Sequence, residues 1–408
     1  MIDYNRLEVL APAGDMERFD AALLYGADAI YLGGQSFGMR SSPANFSFDE
    51  LKAACDKAHA KGVKVYLTCN TLPKNSEIAN FEGFIKEAEA AGVDAVIAND
   101  IGVFSLIKKY TPDMEIHIST QAGIVNYVTA NEFYNMGAKR VVLARELPLD
   151  EIAEIRAKTP KDLDIECFVH GAMCVSFSGR CLLSQYLVNR DANRGECAQP
   201  CRWNYFLMEE KRPNEFYPIG EDEGGAYILN AKDLCMIDHL DKLAEAGITS
   251  FKIEGRAKSA YYVSVVTNAY RAAVDILKSN PDDYKLPKWI KEEVFKVSHR
   301  KYCTGFYFGH PKDCQYYETS GYVRNYDVVA IVDDCHDGRL WCTQRNRFFK
   351  GDELEVLSPN HKPVIIRADE IFNEQGESVE AANKATMKFS LPCENEFVKG
   401  SIIRKANI

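Results

Sequence analysis

The chain has 408 residues, 46% hydrophobic and 26% charged, with a formal net charge of −10. That length allows two or three domains and a sizeable core. The absence of a run of about 18 apolar residues argues against a membrane-spanning helix, and the acidic balance excludes a uniformly basic nucleic-acid binder but not a local basic patch.

The N-terminal stretch MIDYNRLEVLAPAGD has no basic region followed by an apolar one, so it does not read as a secretory signal. A cytoplasmic location, where thiols stay reduced, is the expectation.

Short apolar runs then recur at 7–14, 28–34, 64–70, 94–100, 115–121, 140–146, 164–171 and 250–255. Between most of them lie segments of helical periodicity, such as FDELKAACDKAHAKG, several ending in glycine. Strands without polar alternation suit burial on both faces of a parallel sheet. Eight such units predict a (β/α)8, TIM-like barrel. The competing arrangement is an open doubly wound sheet, but no dinucleotide-binding glycine fingerprint follows the first strand.

The rhythm breaks once, at 172–249. So long an insertion leaving the C-terminal end of the seventh strand sits where barrel enzymes place their chemistry. The segment GRAKSAYYVSVVTNAYRAAVDILKS reads as the last barrel helix, closing a domain at 1–280. A helical linker is expected over 281–321 and a small all-β barrel domain over 322–408, where short strands alternate with turn residues. At the level of fold alone, FFKGDELEVLSPNHK is similar to small β-barrels of RNA- and translation-associated proteins.

The stretch ECFVHGAMCVSFSGRCLLSQYLVNRDANRGECAQPC, at 166–201, holds five of the 13 cysteines. A disulfide staple is disfavoured in a reducing compartment and in a chain of this length. A nucleophile reading pairs Cys174 with His170, four residues earlier, but leaves Cys181, Cys197 and Cys201 without a task. A metal reading uses all four, in the spacing C-x6-C-x15-C-x3-C. Structural zinc sites use tighter paired knuckles, whereas four thiolates from an irregular loop suit a [4Fe–4S] cluster. The plain alternative, four buried thiols acting as small hydrophobes, fits poorly with the glycine-rich, polar SGRC and RGEC contexts. Cys167 alternates within a strand, and Cys235 is a rival ligand that otherwise reads as a core residue at a helix start.

Residues 166–184 match the pattern of peptidase family U32, the collagenase-like proteins. NRGECAQPCRWNY and SFKIEGRAKSAYY resemble the family's later landmarks, and LEVLAPAGD its start, so the resemblance covers nearly the whole chain. The family name implies proteolysis. The better-understood members it resembles instead carry a four-cysteine iron–sulfur cluster and hydroxylate without oxygen, acting on a tRNA wobble uridine, a ribosomal RNA cytidine or a ubiquinone precursor. Length, the β-domain and NAKDLCMIDHL look most like the tRNA uridine hydroxylase branch, which forms 5-hydroxyuridine with prephenate as oxygen donor. The resemblance implies Cys174, Cys181, Cys197 and Cys201 as cluster ligands, with Cys235 as the alternate fourth.

Polar residues at strand C-termini are the catalytic candidates: Asn70, Asp100, Gln121, Arg145, Glu146, His170, Lys252, Glu254 and Arg256. Arg145 and Arg256 suit the carboxylates of prephenate. His170 is the natural acid or base, or alternatively a hydrogen-bond donor to the cluster. Glu166, inside the seventh strand, must be paired if it points inward. For RNA phosphates the sequence offers Arg180, Arg190, Arg194 and Arg202 around the cysteines, then Lys252, Arg256 and Lys258, each otherwise an ordinary surface charge. Lys252, Glu254, Arg202 and Lys258 are the expected substrate contacts. Trp203, Tyr205, Tyr261 and Tyr262 are candidates for base stacking, though helix packing accounts equally well for the last two. A metal-dependent or cysteine peptidase, and an RNA-binding or assembly factor without chemistry, are the competing readings.

Overall fold

A computed structural model of the chain describes residues 3–39, 45–174, 176–203, 206–207, 217–218, 231–310 and 322–407. The strands of the N-terminal part are β1 Glu8–Pro12, β2 Ala29–Gly33, β3 Lys64–Cys69, β4 Ala95–Ala98, β5 Glu115–Ile118, β6 Arg140–Val142 and β7 Asp164–Ala172. They are followed by the two-residue pair β8 Phe206–Leu207 and β9 Tyr217–Pro218, then β10 Asp233–Cys235, β11 Ser250–Ile253 and β12 Tyr302–Cys303. β1 to β7 and β11 run parallel in chain order, and β11 pairs with both β1 and β7, which closes the barrel. The eight strands coincide with the eight apolar runs.

Alternation along each strand divides the apolar residues between two cores. Val9, Ala11, Ile30 and Leu32 pack outward against the helices, while Leu10, Tyr31, Tyr66, Ala95 and Ile97 form a separate inner cluster. The helices follow their local signals. Phe48–His59 begins at a capping box, with Ser47 N donating to Glu50 Oε2 at 2.9 Å and Glu50 N donating to Ser47 Oγ at 3.3 Å. It then buries Leu51, Ala54, Cys55 and Ala58 on one face.

Among the described residues, the 172–249 insertion returns to the barrel sheet once. β10 lies antiparallel to the end of β7, with Cys235 opposite His170, and parallel to β12. Cys235 is therefore a strand residue rather than the start of a helix; three residues are too few to show a strand's period. The final barrel helix is Ala260–Ser279, almost wholly buried, and Lys288–Glu293 lies in the expected linker.

The C-terminal part holds β13 Tyr326–His336, β14 Arg339–Gln344, β15 Phe348–Phe349, β16 Glu353–Leu357, β17 Val364–Arg367, β18 Phe372–Asn373, β19 Ala381–Ala382, β20 Lys388–Pro392 and β21 Ile402–Ala406. Seven of these form one curled antiparallel sheet, in the order β17-β16-β21-β13-β14-β20-β18, around Val329, Val332, Leu340, Phe348, Val356, Phe389 and Ile403. This unit is tied to the barrel through buried polar contacts. Tyr25 donates to Leu357 O at 3.0 Å, and Arg404, with no exposed side-chain surface, bridges Glu293 and Glu355 at 2.6 Å each.

Candidate active site

A cavity of about 710 Å³ opens at the C-terminal end of the barrel. Its floor and sides come from strand ends, including Thr68, Asn70, Gln121, Arg145, Glu146, Phe168, Lys252, Glu254 and Arg256. One wall is the insertion, with Cys174, Cys181, Cys197 and Cys201, and the rim includes Tyr322, Arg324 and Tyr326 from the C-terminal part.

Charged residues inside the barrel support this floor. Arg140 Nη1 lies 2.6 Å from Glu8 Oε1 and 3.1 Å from Glu166 Oε2, and Lys252 Nζ lies 2.6 Å from Glu166 Oε1. Ser250 and Tyr66 each donate to Glu8 at 2.8 Å. Burial alone would raise both carboxyls, but the neighbouring cations outweigh it. Arg140, helped by the two hydroxyls, holds Glu8 at about 2, and Lys252 with Arg140 keeps Glu166 below its usual range. The inward, paired Glu166 required by the sequence is thus observed. Lys252 is also buried, its ammonium 4.5 Å from the centre of the Tyr31 ring, with only part of it facing the cavity.

Above this network Arg145 stacks on Phe168, 3.7 Å from the ring centre, donates to Ala172 O at 2.7 Å and faces Glu254 at 3.6 Å. Arg256 is 4% exposed and donates to Thr68 Oγ1 at 3.1 Å. A β-carbon at Gly33 would collide with Arg256 Nη1, so that glycine makes room for the guanidinium. Lys258 stands at the rim, 4.4 Å from the Tyr322 ring centre, bonded to Ser298 O.

Other candidates take different places. Asp100 caps the helix Ile101–Tyr110 through Val103 N and does not line the cavity. Asn70 accepts from Met39 N at 3.1 Å on the cavity wall. His170 is 1% exposed and off the cavity wall, 3.4 Å from Tyr270 OH and 3.3 Å from Tyr302 OH. A bulge between Lys252 and Ile253 shifts the β7–β11 register at this point. Burial, with His299 and Lys258, pushes His170 down to about 3, so it is neutral near pH 7. Arg180 and Arg190 are exposed, whereas Arg194 is held by Glu77, with Nη1 2.8 Å from Oε2. Arg202 is described only in its backbone, in the turn Pro200–Arg202, and Tyr205 lies outside the described residues. Trp203 is exposed, Tyr262 is buried with its hydroxyl on Glu254 O, and Tyr261 bonds Lys296 O.

None of the cysteines at 174, 181, 197 and 201 forms a disulfide, and all four line one cavity. Leu183 N donates to Cys181 Sγ and Gln199 N to Cys197 Sγ, each at 3.3 Å, as amides do to ligating thiolates. Desolvation at the cavity wall raises the thiol pKa of Cys174, itself an exposed residue; Cys181 and Cys197 add to the rise, while Ser176 N–H and Arg145 oppose it. Among the described residues no three His, Cys, Asp or Glu side chains converge as a single metal ion requires. Four thiols lining one cavity are the donor set that an iron–sulfur cluster would take. Cys235 is off this wall, on β10, where its surroundings push the thiol up to about 12.

The sequence profile of Peptidase family U32 matches residues 14–316, and that of the Peptidase family U32 C-terminal domain matches residues 324–404. The chain belongs to this family. Among its relatives, "tRNA hydroxylation protein P1" of Bacillus subtilis (strain 168) is 35% identical over 401 residues, 98% of this chain and 94% of that protein. "Collagenase" of Porphyromonas gingivalis (strain ATCC BAA-308 / W83) is 31% identical, over 97% of this chain and 96% of the relative. "23S rRNA 5-hydroxycytidine C2501 synthase" of Escherichia coli (strain K12) is 38% identical over 276 residues, 68% of this chain and 40% of that protein.

Glu8, Arg140, Gly33, Thr68 and Ser178 contribute to the site without having been singled out from the sequence. For Glu8 and Arg140 a signal existed, since each is a charge set in an apolar run.

Proposed function

We propose that this U32 protein is an RNA-modifying hydroxylase that forms 5-hydroxyuridine at the wobble position of tRNA, with prephenate supplying the oxygen. Cys174, Cys181, Cys197 and Cys201 would hold a [4Fe–4S] cluster, which when bound would supply electron-transfer chemistry at the cavity wall. The observation that carries the reading is one cavity holding those four thiols together with Arg145, Lys252 and Arg256. Arg145 and Arg256 suit planar, bidentate recognition of carboxylates. Lys258 and Tyr322 at the rim offer a cation and an aromatic face to RNA. Because the whole chain is acidic, attachment must come from this local patch, and affinity for tRNA must fall steeply with salt.

A cysteine peptidase needs a low-pKa thiol beside a base. Here the Cys174 thiol is raised, and no histidine is among the described residues lining the cavity. The test is mass spectrometry of tRNA and ribosomal RNA nucleosides from cells with and without the gene. Loss of 5-hydroxyuridine from tRNA on deletion supports the reading. Loss of a hydroxycytidine from ribosomal RNA moves the substrate to the other RNA, and unchanged nucleosides with peptide hydrolysis by the pure protein overturn it.

A further inference from the structure

The corner of the cavity between the ends of β5 and β6 contains acceptors with nothing to accept. Gln121, in the turn Thr120–Ala122 after β5, is 7% exposed, and its Oε1 has no hydrogen-bond partner. Glu146, after β6, accepts Ser178 N at 3.0 Å through Oε1, while its buried Oε2 accepts nothing. Ser178 is 5% exposed, and its Oγ is likewise unpartnered. All three line the cavity, and Ser178 keeps a left-handed backbone with φ 49°. The deeper carboxylates differ, since Glu8 and Glu166 are saturated by Arg140, Lys252, Ser250 and Tyr66. Buried acceptors without donors are costly and uncommon in folded proteins. Two such acceptors and an unpartnered hydroxyl, which can also donate, in one corner of an open cavity are groups waiting for a ligand's polar edge.

We propose that Gln121, Glu146 and Ser178 form the subsite that recognises the N–H-bearing edge of a pyrimidine base. This rests on the RNA reading above. Glu146 accepts the base N–H, Gln121 Oε1 accepts a second donor where one exists, and the Ser178 hydroxyl donates to the neighbouring ring carbonyl or nitrogen. Uracil offers an imide N–H between two carbonyls, and cytosine an exocyclic amine beside an acceptor nitrogen. Both present the same chemistry to the corner. A site built around such bonds rejects an analogue that lacks the donor, because its own acceptor is then left buried and unpaired.

The experiment measures the rise in thermal midpoint of the full chain with uridine, cytidine and 3-methyluridine 5′-monophosphates, for wild type, Glu146→Gln and Ser178→Ala. The methyl group removes the uracil N–H and leaves both carbonyls. Wild type is expected to bind the better natural nucleotide about tenfold or more tightly than the methylated one. Glu146→Gln should shrink that ratio to within about threefold, and Ser178→Ala, which keeps the Glu146 to Ser178 N bond, should weaken the natural nucleotide alone. Preference for uridine over cytidine monophosphate, or the reverse, identifies which base edge the corner takes. Binding of 3-methyluridine monophosphate as tight as that of the better natural nucleotide, no response to any nucleotide, or full discrimination in Glu146→Gln overturns the assignment. If wild type restores tRNA hydroxylation in cells yet shows no such discrimination, the corner fails and the RNA reading stands. Discrimination without any RNA modification sinks the RNA reading and leaves the corner standing.

Discussion

Glu8 is paired with Arg140 inside the barrel, and its low pKa makes it a stability element. Its folded value of about 2 lies below the ordinary 4.5. A depressed carboxyl adds stability above its unfolded pKa and loses it as pH falls towards the folded one. The contribution is about 3 kcal/mol near neutral pH, fading between about pH 4.5 and pH 2. Wild type should therefore lose unfolding free energy steeply through that window, while Glu8→Gln starts lower and shows a flatter acid limb; parallel curves in guanidinium titrations would contradict this. Gly33→Ala tests the other residue-scale device. The clash falls on the far end of the Arg256 side chain rather than on backbone, so the guanidinium shifts while the fold survives. Nucleoside hydroxylation should fall about tenfold or more with the melting temperature within about 2 °C of wild type. Glu166 was legible because a carboxylate inside an apolar strand demands a partner. Gly33 was not, because its role is the space it leaves for a residue 223 positions later.

At the scale of elements, each barrel strand carried its own evidence, an unbroken apolar run ended by turn residues. β10 carried none: its three residues are fixed by pairing with β7 and β12, a long-range fact with no local period. The same limit hid the bulge between Lys252 and Ile253, so His170 reads in sequence as an acid or base, or a hydrogen-bond donor to a cluster, at a strand end. The insertion is anchored to the barrel by Arg194 on Glu77, a pair about one-third exposed. Such a pair contributes under about 1 kcal/mol. Arg194→Ala should leave global unfolding nearly unchanged but speed limited proteolysis within 172–203 and release of iron from protein purified without oxygen. Unchanged cleavage and iron retention would remove the tether from the account.

For the whole molecule, the C-terminal sheet is part of the site's architecture, since Tyr322, Arg324 and Tyr326 reach the cavity rim. Arg404 holds this sheet to the barrel side between Glu293 and Glu355. Removing one partner of a buried ion cluster strands the others, at about 3 kcal/mol or more. Arg404→Ala should lower the unfolding free energy by that amount and split one calorimetric transition into two; a single unshifted transition would contradict the coupling. The all-β character of the C-terminal part was legible from its short strands and turns, but the cavity between the two parts was not, because no sequence pattern states which faces meet.

The most direct measurement is the 5-hydroxyuridine content of tRNA from a deletion strain carrying wild type, Cys174→Ser or Cys197→Ser, with iron and sulfide assayed on each protein purified without oxygen. Wild type should restore the nucleoside and carry about four iron and four sulfide per chain. Both variants should lose the nucleoside and the iron together, since on this proposal every thiolate would hold the same group. A Cys197→Ser protein that still restores 5-hydroxyuridine, or a wild type without iron that does so, would contradict a four-cysteine active site.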